Sequence, residues 1–293
     1  MATQARFSRI AINNILLATD FSPESVKALQ CALALAKRYD SKLVVTHAIP
    51  PAIDSRSVEV QVPLSEMIQR EADRNMALLE QTQELRAFPH ETILRTGDPA
   101  QVLREVISDE HIDLIVMSTH GRGGLEKMRV GSITESLMRH TTCPVLSVGA
   151  NTTRLITERL GHILYATDFS AGSRQALNYA LWLAEEDGAE MTLLYVIEGN
   201  PHSESELVRW KRRNQEKLSR LIPPFVDLAS RPEVEVEAGN PGEEILRLAD
   251  SRNADLIVMG SRRGGILATH LPWSTLHRVV QRACCPVLTV CAM

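Results

Sequence analysis

Two stretches of the chain combine small and hydroxyl residues in a way that suits phosphate binding, and they are unequal copies of each other. The first runs from Ser118 to Ser132 and has the sequence S-T-H-G-R-G-G-L-E-K-M-R-V-G-S. The second runs from Gly260 to Ser274 and lacks two of the glycines. Glycine lets an anion approach the backbone closely and a following serine adds a hydroxyl donor, so the first stretch predicts the better phosphate site.

These stretches belong to a duplication that covers the whole chain. The sequence I-L-L-A-T-D-F-S-P-E-S at 15–25 recurs as I-L-Y-A-T-D-F-S-A-G-S at 163–173, with eight of eleven positions identical. D-L-I-V-M and C-P-V-L each recur as well, close to the ends of the two copies. Because 293 residues also suit two domains, we predict tandem domains at residues 8–150 and 158–293.

Each copy alternates short apolar runs with amphipathic helical patterns, which predicts βαβ units and a parallel sheet. In the first copy we predict strands at Asn14–Thr19, Leu43–Ile49, Glu91–Arg95, Leu114–Ser118 and Val145–Val148. We predict helices at Pro23–Tyr39, Leu64–Ala87, Pro99–Glu110 and Ser132–Arg139. Asp98-Pro99 and its counterpart Asn240-Pro241 are typical helix starts, with an acceptor at the N-cap and proline at the first helical position.

In an open parallel sheet, ligands bind beyond the carboxyl ends of the strands, where the strand order reverses. Strand one ends at Ala18-Thr19-Asp20 and strand four at Met117-Ser118, so both exits line one crevice if these strands are neighbours. Gly131 and Ser132, which nine residues separate from Gly121, begin a helix. Its unpaired N–H groups and partial positive charge suit a phosphate group.

Each candidate also has an interpretation without a ligand. Asp20 either meets the ribose, the base or a metal ion, or it caps the turn near Ser22. Gly131 and Ser132 either receive an anion or form an ordinary helix start. His120 either lies near the phosphates or only helps to position the loop.

These residues resemble the ATP-binding branch of the universal stress protein family, which carries G-x-x-G, nine residues and then G-[S/T]. Ser118 departs from the first glycine, whereas Gly121, the spacing, Gly131 and Ser132 match; A-T-D-F-S after strand one and G-D-P at 97–99 match as well. The resemblance covers nearly the whole chain. It implies an α/β fold of two tandem Rossmann-like domains, each a five-stranded parallel sheet ordered 3-2-1-4-5 with helices on both faces.

The resemblance also implies an adenine-nucleotide site. It assigns the adenosine part to Asp20 and Ala48, and the phosphates to the glycine loop and the helix that follows. The complete set of candidate residues is Ala18, Thr19, Asp20, Ala48, Met117, Ser118, His120, Gly121, Arg122, Gly131, Ser132, Ile133 and Thr134. ATP is the expected ligand, with Mg²⁺ held through the phosphates and Asp20 as a candidate metal ligand. The motif does not distinguish ATP from ADP or AMP.

The second copy departs from the pattern at the decisive positions. Gly260 restores the first glycine, but Arg263 replaces Gly121 and Trp273 replaces Gly131. Pro272 also removes a backbone donor just before the helix. We therefore expect that the second domain does not bind ATP in the family manner.

Composition narrows the class of protein. A net charge of −4 gives no basic surface for nucleic acid. No apolar run approaches the length of a membrane span, and the start MATQARFSRI lacks an apolar signal core, so we expect a cytoplasmic location.

The leading hypothesis is a nucleotide-binding stress protein that acts as a sensor or regulator, with slow ATP hydrolysis at most and no catalytic residue assigned. The alternatives are an adenine-nucleotide alpha-hydrolase-type enzyme and an interaction module that binds no nucleotide. We expect the last strands of the two copies to pair within the chain as an intramolecular pseudo-dimer, and two chains to pair again as an optional homodimer.

The cysteines leave two interpretations open. The five are Cys31, Cys143, Cys284, Cys285 and Cys291, and none forms a metal-type C-x-x-C pair. They are either buried reduced thiols of a cytosolic protein, or the neighbours Cys284 and Cys285 sense redox conditions.

Overall fold

The computed structural model describes residues 10–51, 64–119, 131–199, 203–224, 226–261 and 273–292. The first copy contains, in chain order, β1 (Asn14–Ala18), α1 (Pro23–Tyr39), β2 (Lys42–Ile49), α2 (Leu64–Glu80), α3 (Gln83–Arg86), β3 (His90–Thr96), α4 (Pro99–Asp109), β4 (Leu114–Ser118), α5 (Ser132–His140) and β5 (Val145–Val148). The second contains β6 (His162–Ala166), α6 (Ala171–Asp187), β7 (Glu190–Ile197), α7 (Glu204–Ser219), β8 (Glu233–Ala238), α8 (Pro241–Ser251), β9 (Leu256–Ser261), α9 (Trp273–Arg282) and β10 (Val287–Cys291).

One continuous sheet joins the two copies. Within the described residues it has ten strands in the order β3-β2-β1-β4-β5-β10-β9-β6-β7-β8. The predicted order 3-2-1-4-5 is therefore confirmed in each copy. The two halves meet where β5 and β10 pair antiparallel, with Leu146 opposite Leu288, as expected for the last strand of each copy.

Both faces of the sheet are covered by helices. Along β1, Ile15 and Leu17 pack into one hydrophobic layer, while Leu16 between them packs into the other. All three side chains are fully buried. Burial on both faces explains why the central strands are continuous apolar runs instead of alternating apolar and polar residues.

The predicted elements of the first copy agree with the structure to within one residue at each end, apart from one helix. The segment Leu64–Ala87 forms two helices, α2 and α3, instead of the single helix that we predicted. The Thr82 hydroxyl donates to the Leu79 carbonyl over 2.7 Å, and Thr82 itself is extended at φ −61° and ψ 145°. A threonine that hydrogen-bonds to nearby backbone competes with the helical pattern, so the helix stops and restarts there.

A buried ion pair connects the two copies away from the strand exits. Arg38, near the end of α1, pairs with the carboxylate of Asp187 at the end of α6, whose side chain is fully buried. Asp187 also accepts from the Leu160 amide over 2.7 Å, and Arg38 donates to the Glu158 carbonyl over 3.0 Å. The linker between the copies is thus held against the ends of both helices.

Candidate functional site

The exits of β1 and β4 lie side by side, because Ala18 and Met117 are register partners in the parallel ladder. We call the space bounded by residues 19–21, 118–119 and 131–134 the first crevice. The corresponding space in the second copy, bounded by residues 167–169 and 260–261, is the second crevice. In each copy the crevice lies where the strand order reverses, which is the usual ligand position in such sheets.

The turn that leaves β1 has a strained backbone. Phe21 has φ 61°, a left-handed conformation that bulky side chains rarely adopt. Its amide donates to the Thr19 hydroxyl over 3.0 Å, which holds the turn. The same strain recurs at Phe169, also at φ 61°. The strain therefore belongs to the turn that both copies share, and it sets the direction of Asp20, which lies between Thr19 and Phe21.

Asp20 is held by the first turn of α1. Its Oδ1 accepts from the Ser22 amide at 3.1 Å, from the Ser22 hydroxyl at 2.6 Å and from the Ser25 hydroxyl at 2.5 Å. Ser22 is the N-cap of α1 and accepts from the Ser25 amide. Asp20 therefore supports the turn near Ser22, which is one of the two interpretations of this residue given above. The three hydrogen bonds from Ser22 and Ser25 to the carboxylate were not predicted from the sequence.

The neighbouring β2 exit adds an aromatic wall to the first crevice. The rings of Phe21 and His47 are 4.5 Å apart between centroids. A ring nitrogen of His47 lies 2.8 Å from the Thr19 carbonyl oxygen. Ala48 follows on the same strand, in register with Arg95 of β3. Phe21 and His47 are additions to the candidate site, and the sequence signal for Phe21 is its place in the A-T-D-F-S motif, which recurs in both copies.

At the β4 exit, backbone bonds bring the start of α5 to the end of the strand. The Gly131 amide donates to the Thr119 carbonyl over 2.8 Å. The buried Thr134 hydroxyl donates to the Ser118 carbonyl over 3.2 Å. The first turn of α5 therefore lies at the crevice, with its donor groups beyond the end of the sheet.

Gly131 leaves this helix start open. It is the N-cap of α5 and has no side chain with which to cap the helix. A Cβ placed on Gly131 would lie 3.4 Å from the Thr119 carbonyl oxygen and 3.8 Å from the Thr134 hydroxyl oxygen, so it would occupy the space between them. The exposed Ser132 follows at once. Uncapped N–H groups, a hydroxyl and a gap where a side chain would be form a fitting receptor for a phosphate.

The structure thus brings together ten of the thirteen predicted site residues at the carboxyl edge of β1, β2 and β4. The other three, His120, Gly121 and Arg122, lie outside the described residues. Met117 and Thr119 are buried, so they contribute backbone and not exposed side chains.

The second crevice repeats the turn after the first strand. Asp168 Oδ1 accepts from the Ser170 amide at 2.9 Å and from the Ser173 hydroxyl at 2.5 Å. Ser170 is the N-cap of α6. The carboxylate and its local support are therefore kept in both copies.

The β9 exit differs from its counterpart in β4. A Cβ on Gly260 would overlap the backbone of Gly172 and Ser173, and a Cβ on Gly172 would overlap the Ser261 carbonyl. Both glycines are thus required by direct backbone contact between the first turn of α6 and the end of β9. The corresponding residues of the first copy, Ser118 and Glu24, carry side chains, so α1 cannot approach β4 so closely. The second crevice is narrowed at this point.

This contact corrects our interpretation of Gly260. In sequence Gly260 stands at the first glycine of the phosphate pattern, but in the structure its missing side chain makes room for α6. The Tyr165 hydroxyl strengthens the same contact by donating to the Ser173 carbonyl over 2.7 Å. Burial raises the pKa of Tyr165 to about 12, so this donor stays protonated.

The aromatic residues of the second copy also differ from those of the first. Tyr195 stands where the first copy has His47, and its ring lies 4.8 Å from that of Phe169. The ammonium of Lys217 from α7 lies 5.4 Å from the centre of the Phe169 ring. Trp273 begins α9 at the position of Gly131. Arg263 and Pro272 lie outside the described residues.

These features define the chain as a doubly wound α/β protein with a candidate ligand crevice at the reversal of each half-sheet. The universal stress protein family model matches residues 11–149 and 160–290, and the chain belongs to that family. A universal stress protein of Bacillus subtilis is 32% identical over 145 residues, which cover 46% of this chain and 98% of that protein. Such relatives therefore correspond to one copy.

Solved structures match the whole tandem arrangement. A universal stress protein from Archaeoglobus fulgidus is 24% identical with a TM-score of 0.71, covering 97% of each chain. A Pseudomonas aeruginosa protein is 18% identical with a TM-score of 0.61, covering 98% of this chain and 95% of the other. At these identities the likeness establishes the shared fold. Among the described residues, no helix is long and apolar enough to cross a bilayer.

Proposed function

We propose that this stress-response protein binds one adenine nucleotide, with the phosphates at the start of α5 in the first crevice. The observation that carries the proposal is the open N-terminus of α5, anchored by Gly131 and Thr134 to the end of β4. Among the residues that the structure describes, this helix start is fixed in position and has no side-chain cap, so its N–H donors meet no competing side-chain acceptor.

The other parts of the crevice fit the rest of the ligand. The amides of Ser132, Ile133 and Thr134 would receive the phosphates, with the Ser132 hydroxyl as a further donor. The carboxylate of Asp20 would repel phosphate, so it suits the ribose hydroxyls, the base or a divalent cation. Phe21 and His47 provide an apolar wall beside it. Mg²⁺, when bound with the nucleotide, would neutralise part of the phosphate charge.

We propose that the second domain has lost this activity and has a supporting role. Contact through Gly172 and Gly260 narrows its crevice, and tryptophan replaces the glycine at its helix start. The Ser261 hydroxyl at this crevice donates to the Met138 carbonyl of α5 over 3.2 Å. The helix that would receive the phosphates at one end thus contacts the second domain at the other. This connection favours a sensor or regulator over an enzyme.

A cytoplasmic location completes the proposal. All five cysteines are free thiols, and four of them are buried in the core. Proteins that keep free thiols in such numbers are typical of a reducing compartment.

Purification of the full-length protein followed by release and chromatography of any bound nucleotide tests the proposal. We expect adenine nucleotide in the wild type and none in Gly131→Trp, which introduces the residue of the second domain. Because the second copy folds with tryptophan there, the variant should keep the wild-type circular dichroism spectrum. Equal nucleotide content in both proteins would refute the site, and failure of added ATP to bind either one would favour an interaction module.

A further inference from the structure

Cys284 differs from the other cysteines in its surroundings. Cys31, Cys143, Cys285 and Cys291 are buried, whereas Cys284 is partly exposed. The duplication supplies an internal comparison, because the first copy has Thr142-Cys143 where the second has Cys284-Cys285. The buried cysteine is therefore part of the repeated core, and the partly exposed one is present only in the second copy.

A group of polar side chains surrounds this thiol. Arg154, from the linker between the copies, donates to Cys284 Sγ over 3.1 Å. The same guanidinium donates to Asp250 and to Asn253, in each case over 3.1 Å, which fixes its position. The Asp250 carboxylate lies 3.8 Å from the Cys284 sulfur. Arg154 is thus held as a cationic partner for the sulfur.

The charges around Cys284 favour its thiolate. A hydrogen bond from the neighbouring Cys285 thiol and the positive charge of Arg154 lower the pKa of Cys284 to about 6, against partial burial and the Asp250 carboxylate. Burial raises the pKa of Cys31, so that thiol stays protonated and unreactive. A thiolate that is accessible and charged at neutral pH is the reactive form of cysteine.

We propose that Cys284 is a modification site for hydroperoxides and for soft electrophiles, with Arg154 as its positioning residue. The Cys284 thiolate attacks one oxygen of the hydroperoxide, an S–O bond forms and the O–O bond breaks. The sulfur loses two electrons and becomes a sulfenic acid, and the leaving oxygen takes up a proton as water or an alcohol. This site is separate from the first crevice and does not depend on nucleotide binding.

The location of Cys284 links its oxidation to the junction of the copies. Its main-chain carbonyl accepts from the amides of Thr153 and Arg154, over 2.9 Å and 3.0 Å. Strand β10, which joins the two half-sheets, begins at Val287. A change at the Cys284 sulfur is therefore transmitted to the linker through Arg154. It is also transmitted through β10 to the pairing of β5 with β10, where the two half-sheets meet.

Alkylation of the full-length protein by iodoacetamide, followed at Cys284 by peptide mass spectrometry across a pH series, tests the first part of the proposal. We expect a midpoint below the value of about 8.5 for an ordinary thiol, because the Cys285 thiol and the Arg154 guanidinium lower the pKa of Cys284. Arg154→Gln should raise the midpoint by at least about one pH unit, and Asp250→Asn should lower it. A purely structural role of these residues would speed labelling in both variants without moving the midpoints in opposite directions.

Hydrogen peroxide tests the second part. We expect dimedone to trap a sulfenic acid at Cys284 in the folded protein, with loss of the adduct in Cys284→Ser and several-fold less adduct in Arg154→Gln. The buried cysteines should react only in denaturant. An ordinary midpoint for Cys284, an unmoved midpoint in Arg154→Gln, or peroxide oxidation that spares Cys284 would each overturn the proposal.

Discussion

The side-chain hydroxyl of Thr134 donates to the main-chain carbonyl of Ser118 over 3.2 Å, and this bond fixes the first turn of α5 against the end of β4. Thr134 is buried, so water does not compete for the bond. The relationship explains how a helix without a side-chain cap stays in one position at the crevice. It also makes Thr134 a residue whose loss should change both stability and nucleotide affinity.

Thr134→Val should weaken nucleotide binding by about threefold to tenfold and lower the free energy of unfolding by about 1–3 kcal/mol. The valine keeps the shape but leaves the buried Ser118 carbonyl without this donor. Urea unfolding and calorimetric titration with ATP and Mg²⁺ measure the two effects. Ser41→Ala is the matched control, because it removes a buried hydroxyl that donates to the Ile12 carbonyl, away from the first crevice and from α5. A similar loss of affinity in both variants would contradict the assignment.

Substitution by alanine should affect the stability of the protein differently at Gly131 and Gly260. Gly260→Ala should destabilise the protein strongly, because its Cβ would overlap the backbone of α6. Gly131→Ala should change the free energy of unfolding by less than about 1 kcal/mol, since its Cβ meets only ordinary contacts. It should nevertheless reduce nucleotide affinity, because the Cβ fills the gap at the helix start. Thermal unfolding and ATP titration of both variants provide the comparison; a stable Gly260→Ala would disprove the close contact.

Arg38→Met should destabilise the protein by about 3–5 kcal/mol, because it leaves the buried Asp187 carboxylate without its cationic partner. Arg70→Met is the matched control. Arg70 pairs with Glu66 on the exposed face of α2, so its loss should cost less than about 0.5 kcal/mol. Urea unfolding of both variants measures the two changes in the free energy of unfolding. Equal losses would mean that the junction between the copies does not depend on the Arg38–Asp187 pair.

Alkaline pH should destabilise the protein in part through Cys31. Burial raises the pKa of Cys31 from 9.0 to about 11. Below pH 9 the Cys31 thiol is protonated in both the native and the unfolded chain, so its full contribution to the stability of the native protein is present. Between about pH 9 and 11 only the unfolded chain releases it, and stability falls as pH rises.

Cys31→Ala should therefore lose less stability per pH unit than the wild type in that window, by up to about 1.4 kcal/mol per unit. Urea unfolding at a series of pH values gives both slopes. Below pH 9 the two slopes should coincide, which separates this effect from the cavity that alanine leaves. Parallel slopes throughout would show that the Cys31 thiol is not protected from ionisation.

The sequence predicted a parallel α/β sheet and the ends of its strands because these follow from repeated local patterns, whereas the strand order 3-2-1-4-5 was implied by the resemblance to universal stress proteins. Alternating elements imply right-handed parallel connections, and the end of each strand can be located by its residues. The break between α2 and α3 was missed because it depends on the hydrogen bond from the Thr82 hydroxyl to the Leu79 carbonyl, which competes with the regular helix. The helical periodicity of a sequence does not show whether such a side-chain hydrogen bond forms.

The role of Gly260 could not be predicted for a different reason. In sequence it matches a phosphate motif, and only the folded chain shows that Gly172, far earlier in the chain, occupies the space beside it. The strain at Phe21 was equally hidden, because nothing in its residue type suggests a left-handed backbone. Such features depend on contacts between distant segments and on their mutual fit.

The most direct test of the central claim is the stoichiometry of ATP binding to the full-length protein by calorimetry in the presence of Mg²⁺, with Asp20→Ala and Asp168→Ala compared. Both substitutions remove a carboxylate with the same serine partners at the start of a helix, so their effects on stability should be similar. We predict one nucleotide per chain, about tenfold or weaker binding in Asp20→Ala, and unchanged binding in Asp168→Ala. Two nucleotides per chain, or a loss in Asp168→Ala equal to that in Asp20→Ala, would contradict the account.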